Sequence, residues 1–168
     1  MNSDLTSKIY TKRPRECSVI ESEKFRKLVL SEGQVNANTL SRYVANAERL
    51  AFVYYNEELA AVAAIKNAQL SYRENVKRKS GTDIPLEEIS REFGYVVVAP
   101  NHRGKGLSGI LADALLRNDS GMMFATSITD NIRMHRTLYR HGFKKSGRSY
   151  PSTENPGQEL SLFVRLGF

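Results

Sequence analysis

One stretch constrains the fold more than any other, residues 93–116, which read FGYVVVAPNHRGKGLSGILADALL. Residues 95–99 form a continuous β-branched and aromatic run, typical of a strand buried on both faces. Pro100 ends this strand, because proline has no backbone N–H to donate. After Gly104 and Gly106, apolar residues recur at helical spacing, at Leu107, Ile110, Leu111, Ala114 and Leu115. The sequence therefore predicts a strand, a glycine loop and a helix.

The start of the predicted helix is a candidate anion site. Amides at a helix N-terminus carry partial positive charge, and glycines let a ligand approach the backbone closely. The stretch is not a P-loop, because Gly106 stands where that motif needs Ser or Thr after Gly-Lys. Residues 104–109 match G-x-G-x-x-G, but in a Rossmann unit the first glycine follows the strand directly, and here residues 101–103 intervene. The loop therefore predicts a phosphate or pyrophosphate site, with only weak support for a dinucleotide.

Two segments resemble the signatures of the GCN5-related N-acetyltransferase (GNAT) family. Residues 98–108 are similar to its acetyl-CoA loop, [RQ]-x-x-G-x-[GA], with Arg103 and Gly106 matching and Ser108 in the last place. Residues 131–143, NIRMHRTLYRHGF, are similar to the second signature, an Asn that opens a helix ending in Gly-Phe. The resemblance implies a three-layer α/β/α fold around a mixed sheet of about six to seven strands, with splayed parallel central strands.

The resemblance further implies an N-acetyltransferase that moves an acetyl group from acetyl-CoA to a primary amine by direct attack. The cofactor would contact the central strand, the loop amides and the start of the second-signature helix. The implied binding residues are Val96, Val97, Val98, Arg103, Gly104, Lys105, Gly106, Leu107, Ser108 and Asn131. Asn131 would hold either the helix start or an amide of the cofactor.

Direct attack requires a neutral amine, so the site needs a way to remove a proton. Glu92 is the first candidate base, because it falls near the start of the central strand, where histone-type members of the family carry a glutamate. It also shares strand parity with Val96 and Val98. Glu87 and Glu88 are alternatives, and deprotonation through water is also open.

The departing thiolate needs a proton or another form of stabilisation. In many family members a Tyr occupies the position that falls here on Leu138, which cannot donate a proton. Tyr139 is adjacent but about 100° around the helix, and it is our candidate acid. Another group, or unassisted departure of the thiolate, stays open. So does a protein of the same fold that binds CoA without catalysis.

Bulk properties narrow the class of protein. The single Cys17, the lack of a signal-peptide core and the lack of a long apolar run favour a cytoplasmic protein without a membrane partner. The net charge of +7 comes from dispersed basic clusters without a known nucleic-acid module, so a nucleic-acid-binding domain is the less favoured alternative. No Cys or carboxylate lies at metal-ligand spacing from the histidines, so we expect no metal site. We expect a small-molecule or peptide amine as acceptor and leave open a homodimer.

The length of 168 residues predicts one domain spanning residues 1–168. Residues 67–91 are polar and basic, whereas the family usually joins strands three and four by a tight turn. We interpret them as an insertion, either a mobile surface excursion or a substrate-selecting flap. The other predicted elements are a first strand at 17–20, a helix capped by Ser22, a hairpin of 50–55 and 59–65, a short helix at 86–90, a strand at 122–128 and a last strand at 160–164.

Overall fold

The computed structural model describes residues 7–33 and 35–167. The strands are β1 (Ser7–Lys12), β2 (Arg49–Tyr55), β3 (Glu58–Asn67), β4 (Arg91–Val98), β5 (Met123–Ile128), β6 (Lys144–Pro151) and β7 (Glu159–Arg165). The helices are α1 (Val19–Ser31), α2 (Ala37–Ala45), α3 (Leu70–Ser80), α4 (Leu107–Leu116) and α5 (Ile132–Arg140). The strands form one sheet in the order β1-β2-β3-β4-β5-β7-β6. The predicted hairpin is β2–β3, and the predicted strand, glycine loop and helix are confirmed as β4, the loop and α4.

Helices cover both faces of the sheet. On one face, α4 and α5 bury apolar residues such as Leu111 and Leu138 in the largest core cluster. On the other face, α1 and α2 pack over β2 and β3 through residues such as Phe25 and Leu40. On that face α3 packs over β5 and β7 around Val76. The three-layer α/β/α architecture with a mixed sheet is therefore confirmed.

The two central strands are joined at one end only. Strands β4 and β5 run parallel, and the pair Glu92 and Phe124 is the only one between them in the described part of the chain. At this end Arg91 forms ion pairs with Glu48 and Asp119. Asp119 also accepts a hydrogen bond from Arg165, at 3.0 Å from Nη2 to Oδ1. Beyond this charged cluster the strands separate, so the predicted splay is present.

A bulge in β4 changes which residues share a face. The register with β3 shifts between Val97 and Gly94, and Tyr95 takes a positive φ of 52°. Because a bulge inserts one extra residue, the alternation of side chains reverses across it. Val96 and Val98 pack on the α4 side, whereas Glu92 contacts α3 on the opposite side. The predicted shared parity of Glu92 with Val96 and Val98 is therefore wrong.

The beginning of the chain also differs from the prediction. Residues 17–20 do not form a strand, because α1 starts there with Ser18 as its N-cap. The Ser18 hydroxyl accepts a hydrogen bond from the Glu21 amide at 3.1 Å, and the Glu21 carboxylate accepts one from the Ser18 amide at 3.1 Å. This reciprocal capping box places the N-cap four residues before the predicted cap at Ser22. The first described strand is instead β1.

Residues 67–91 contain a helix, α3, that the sequence analysis did not predict. The predicted helix at 86–90 is only a 3₁₀ turn at Leu86–Glu88. The Arg73 guanidinium ties α3 to this turn by donating to the carbonyl oxygens of Leu86 and Glu87 at 3.2 and 2.5 Å. Val76 and Leu86 are buried in the cluster beneath. The segment is therefore packed on the sheet.

Candidate active site

A cleft of about 680 Å³ opens where β4 and β5 separate. Its walls include residues from both faces of the sheet. Val96, Met134 and Leu138 come from the side of α4 and α5. From the opposite side come Tyr43, Lys66, Tyr72, Glu92, Tyr95 and Tyr150. The cleft therefore reaches through the sheet, and a molecule in it can be approached from both faces.

Glu92 lies in the wall of this cleft and is only 3% exposed. Its Oε1 accepts a hydrogen bond from the Tyr72 hydroxyl at 3.3 Å and lies 3.4 Å from the Lys66 ammonium. Its Oε2 is buried and has no hydrogen-bond partner among the described residues. A buried carboxylate oxygen without a partner is costly unless a ligand satisfies it. The arrangement leaves Oε2 as the atom that can accept a proton.

Glu92 is surrounded by tyrosines that stay protonated at neutral pH. Tyr72 is 37% exposed as a whole, but desolvation of its hydroxyl raises its pKa well above 10, and the charge of Glu92 raises it further. The same two causes, in the same order, raise the pKa values of Tyr95 and Tyr150. The Lys66 ammonium lies 4.3 Å from the centroid of the Tyr95 ring, within the range of a cation–π contact. This part of the cleft therefore offers several phenol donors beside the Glu92 carboxylate.

The alternative candidate bases, Glu87 and Glu88, are not among the residues that line the cleft. Glu87 forms an exposed ion pair with Lys77, at 2.8 Å from Oε1 to Nζ. Glu88 is exposed on the same 3₁₀ turn. Of the three glutamates, the structure brings only Glu92 into the cleft.

The glycine loop presents open backbone at the start of α4. Gly104 and Gly106 have φ values of 81° and 72°, in the left-handed region that favours glycine. Gly106 is the N-cap of α4, and no side chain caps this end. A Cβ atom built on Gly104, Gly106 or Gly109 would meet no atom within 4 Å. The loop therefore has room for a bulky anion against the first amides of α4.

Neighbouring side chains hold this loop in place. The Arg103 guanidinium is ion-paired with Glu32, which lines the cleft, at 2.9 Å from Nη2 to Oε1. The Lys105 ammonium lies 2.9 Å from Nδ1 of His102. His102 is buried and stacks on Tyr55 with the ring centroids 5.4 Å apart. The loop is therefore anchored to α1 and to β2.

The remaining predicted cofactor residues fall into two groups. Val96 and Val97 line the cleft, whereas Val98 does not and packs toward α4. Leu107 is buried at the start of α4, and Ser108 is partly exposed beside it. Asn131 lines the cleft and caps α5, where its Oδ1 accepts from the Met134 amide at 3.2 Å. Of the two roles considered for Asn131, the structure shows the contact at the helix start.

The structure does not bring Tyr139 into the cleft. Tyr139 is 51% exposed, and its ring packs edge-on against Phe163 with the centroids 5.7 Å apart. Leu138 lines the cleft instead and is 1% exposed. Consecutive helical residues point about 100° apart, so only one of the two can face the cleft.

Sequence reasoning missed two residues that contact Glu92, namely Lys66 and Tyr72. Lys66 is directly opposite Glu92 in the register of β3 and β4. The pairing could not be predicted because more than 20 residues separate these two strands in the sequence. Tyr72 belongs to α3, which has the sequence LSYRENVKRKS. Only Val76 and Ser80 of this helix are buried, so the sequence has no apolar stripe that would predict a helix.

Across residues 7–33 and 35–167, none of the helices is long and apolar enough to cross a membrane. The same residues contain no group of three or more His, Cys, Asp or Glu side chains that could hold a metal ion.

Comparisons with known proteins agree with this architecture. The model of the Acetyltransferase (GNAT) family matches residues 16–143. ElaA from Escherichia coli has a similar structure, with a TM-score of 0.65 at 15% identity, over 95% of this chain and 99% of ElaA. So does YncA from Salmonella typhimurium, solved with its cofactor acetyl-CoA, with a TM-score of 0.62 at 16% identity, over 96% of this chain and 94% of YncA.

An acyl-CoA N-acyltransferase from Pseudomonas aeruginosa is also similar, with a TM-score of 0.64 at 14% identity, over 95% of this chain and 99% of the enzyme. At these identities the structural likeness establishes the fold alone. Comparison with curated protein sequences gives no match. Because the family model matches most of the sequence, the chain belongs to the GNAT family of acetyltransferases, which use acetyl-CoA as the acetyl donor.

Proposed function

We propose that this protein acetylates a primary amine by direct attack of the neutral amine on acetyl-CoA, with Glu92 as the base. The observation that carries the proposal is the unpartnered, buried Oε2 of Glu92 in the wall of the cleft between β4 and β5. A general base must reach the proton it removes, and none of the described residues donates a hydrogen bond to this oxygen. Neither Glu87 nor Glu88 offers such an atom to the cleft.

The glycine loop fits the acidic part of acetyl-CoA. Its open glycines and the uncapped start of α4 suit the pyrophosphate, which the amides of residues 103–108 would hold. The backbone of Val96 and Val97 borders the gap between the strands and would hold the extended arm. When bound, acetyl-CoA supplies an activated thioester. The chain orients it and keeps that part of the cleft apolar with Met134 and Leu138.

The acceptor amine would enter from the side of α1, α2 and α3. On this side Glu92 Oε2 takes a proton from the ammonium, which leaves the nitrogen lone pair free to attack. We propose that residues 67–91 shape this acceptor site, because α3 contributes Tyr72, Asn75 and Lys79 to the wall of the cleft. A small molecule or the amine of a peptide fits this proposal equally well.

A catalytically silent CoA-binding protein is the second candidate. The observation that favours it is Leu138, which occupies the cleft wall where many family members have a tyrosine. The two candidates share the donor site and differ only in acetyl transfer. A test of the function must therefore measure binding and transfer separately.

The binding measurement is a thermal shift with CoA. At 100 times Kd, binding stabilises the folded state by about 2.7 kcal/mol, which for a domain of this size raises Tm by roughly 5–10 °C. Gly106→Val should abolish the shift, because a β-branched residue is strained at positive φ and fills the open face of the loop. Gly157→Val is the matched control, since Gly157 also has a positive φ and open space but lies in the turn before β7. It should keep the CoA shift.

The transfer measurement is an acceptor panel of primary amines, following free thiol released from acetyl-CoA. Thiol release that depends on an amine, together with a CoA shift, supports the proposed function. A CoA shift without release from any amine supports the silent binder. The absence of a CoA shift at concentrations well above micromolar contradicts both.

A further inference from the structure

The two oxygens of the Glu92 carboxylate have different surroundings. Oε1 is engaged by Tyr72 and Lys66, at 3.3 and 3.4 Å, whereas Oε2 is buried without a hydrogen-bond partner among the described residues. A carboxylate free to rotate would exchange its oxygens. Two partners on one side hold it in a single orientation, so the contacts to Oε1 determine where Oε2 points.

Tyr72 is the partner supplied by α3, the helix inserted between β3 and β4. The helix is anchored by Arg73, which also donates to the Ala68 carbonyl at 3.1 Å, and by the buried Val76. The Tyr72 ring rests against Phe124, the residue of β5 that pairs with Glu92, with the centroids 6.3 Å apart. These contacts of α3 and of the Tyr72 ring place the Tyr72 hydroxyl beside Glu92.

The Lys66 side chain reaches from β3 to Glu92 on β4 by passing beside Gly94, which has no side chain in its way. A Cβ atom on Gly94 would lie 3.0 Å from Cδ of Lys66. The titratable groups that face Glu92 are thus Lys66 from β3, Tyr72 from α3, Tyr95 from β4 and Tyr150 from β6. Among the three tyrosines, only Tyr72 donates a hydrogen bond to the carboxylate.

We propose that Tyr72 is a positioning residue for acetyl transfer, in which its hydroxyl holds Glu92 Oε1 so that Oε2 is directed at the acceptor amine. This inference rests on the proposed function of Glu92 as the base. A hydrogen bond donated to a carboxylate stabilises its ionised form. The inserted segment 67–91 is then part of the catalytic apparatus, in addition to lining the acceptor side.

The test is Tyr72→Phe, which keeps the ring against Phe124 and removes only the hydroxyl. Loss of a hydrogen bond to a charged group should move the acid limb of the pH profile of kcat/KM upward by about one pH unit. Above that limb, kcat/KM should also stay below the parent value, because Oε2 is no longer held toward the amine. The control is Tyr10→Phe, which alters an exposed tyrosine on β1 and should leave the limb in place.

A second readout does not depend on activity. In protein labelled with ¹³C at the glutamate carboxyl carbons, the Glu92 signal is identified by its loss in Glu92→Gln. Its titration midpoint should rise by about one unit in Tyr72→Phe. If the protein acetylates no amine, the proposed function fails, yet this titration still decides whether Tyr72 holds the carboxylate.

A fluorinated tyrosine at position 72 covers the case in which the phenylalanine variant does not fold. Fluorine makes the hydroxyl a stronger donor, so the Glu92 titration midpoint should move downward. Unchanged Glu92 titration in both substituted proteins would overturn the proposal. So would an equal shift in Tyr10→Phe.

Discussion

The contact between α3 and β6 depends on Gly147, and we expect Gly147→Ala to destabilise the fold by disrupting it. Gly147 has a φ of 73° and lies at the irregular part of β6. A Cβ atom there would overlap the carbonyl oxygen of Ser80, the last residue of α3, and would lie 3.1 Å from the Thr82 amide nitrogen. Both of these neighbours are backbone atoms, which cannot rotate away as a side chain can.

The expected loss has two parts. An alanine held in the left-handed region costs about 1–2 kcal/mol. Overlap with packed backbone costs about 1–3 kcal/mol more, because α3 must shift away from the sheet. The free energy of unfolding should therefore fall by about 2–5 kcal/mol. The contact between the Thr82 and Ser146 hydroxyls, at 2.5 Å, lies beside the overlap and should weaken with it.

The assay is urea denaturation followed by circular dichroism, with Gly33→Ala as the matched control. Gly33 has a similar φ of 68°, but a Cβ atom there meets nothing within 4 Å. Gly33→Ala should therefore show the conformational part alone, and the difference between the two variants measures the overlap. Equal losses in the two variants would refute the argument that α3 is packed tightly against Gly147.

Two further predictions concern single carboxylates. Glu92→Gln should lower kcat/KM by at least about 10²-fold at pH values below the pKa of the acceptor amine. Above that pKa the amine is already neutral, so the loss should be smaller. Tyr139→Phe should change kcat/KM little at any pH. Full activity of Glu92→Gln across pH would exclude Glu92 as the base. Asp119→Asn should lower the free energy of unfolding at pH 7 by roughly 2–4 kcal/mol, because the hydrogen bond from Arg91 lowers the pKa of Asp119 in the folded state. That contribution is complete above the unfolded pKa of about 4 and is lost as the pH falls through the lower folded pKa, so parent and variant should converge in acid denaturation curves.

Local sequence patterns predicted the central elements well. The run at 95–99, Pro100 and the apolar spacing from Leu107 are all encoded within one stretch of chain, and they correspond to β4 and α4. These patterns are local, so they predict a strand or a helix without information about the neighbouring strands of the sheet. The capping box at Ser18 was also present in the sequence, but the apolar pair Val19 and Ile20 suggested a strand. Both residues are in fact exposed, at 81% and 66%.

The features that the sequence did not indicate depend on contacts between distant residues. The bulge at Tyr95 reverses the side-chain alternation of β4, so Glu92 was placed on the correct strand but on the wrong face relative to Val96. Helix α3 is polar and is held by Arg73 and by the sheet beneath it, which no periodicity reveals. Lys66 and Tyr72 reach Glu92 only through that packing.

The separation of β4 and β5 has a consequence for the free energy of the protein without ligands. Past the pair of Glu92 and Phe124, the two strands do not complete the backbone hydrogen bonds that a continuous sheet would form. Backbone groups of β4 along this separation border the cleft. We therefore expect the sheet to be held together less strongly between β4 and β5 than within its two halves, and an extended molecule lying in the gap could form hydrogen bonds with both strands. If part of the affinity for such a molecule comes from completing the sheet, binding should also make the core more rigid, which slower amide hydrogen exchange in β4 and β5 would show.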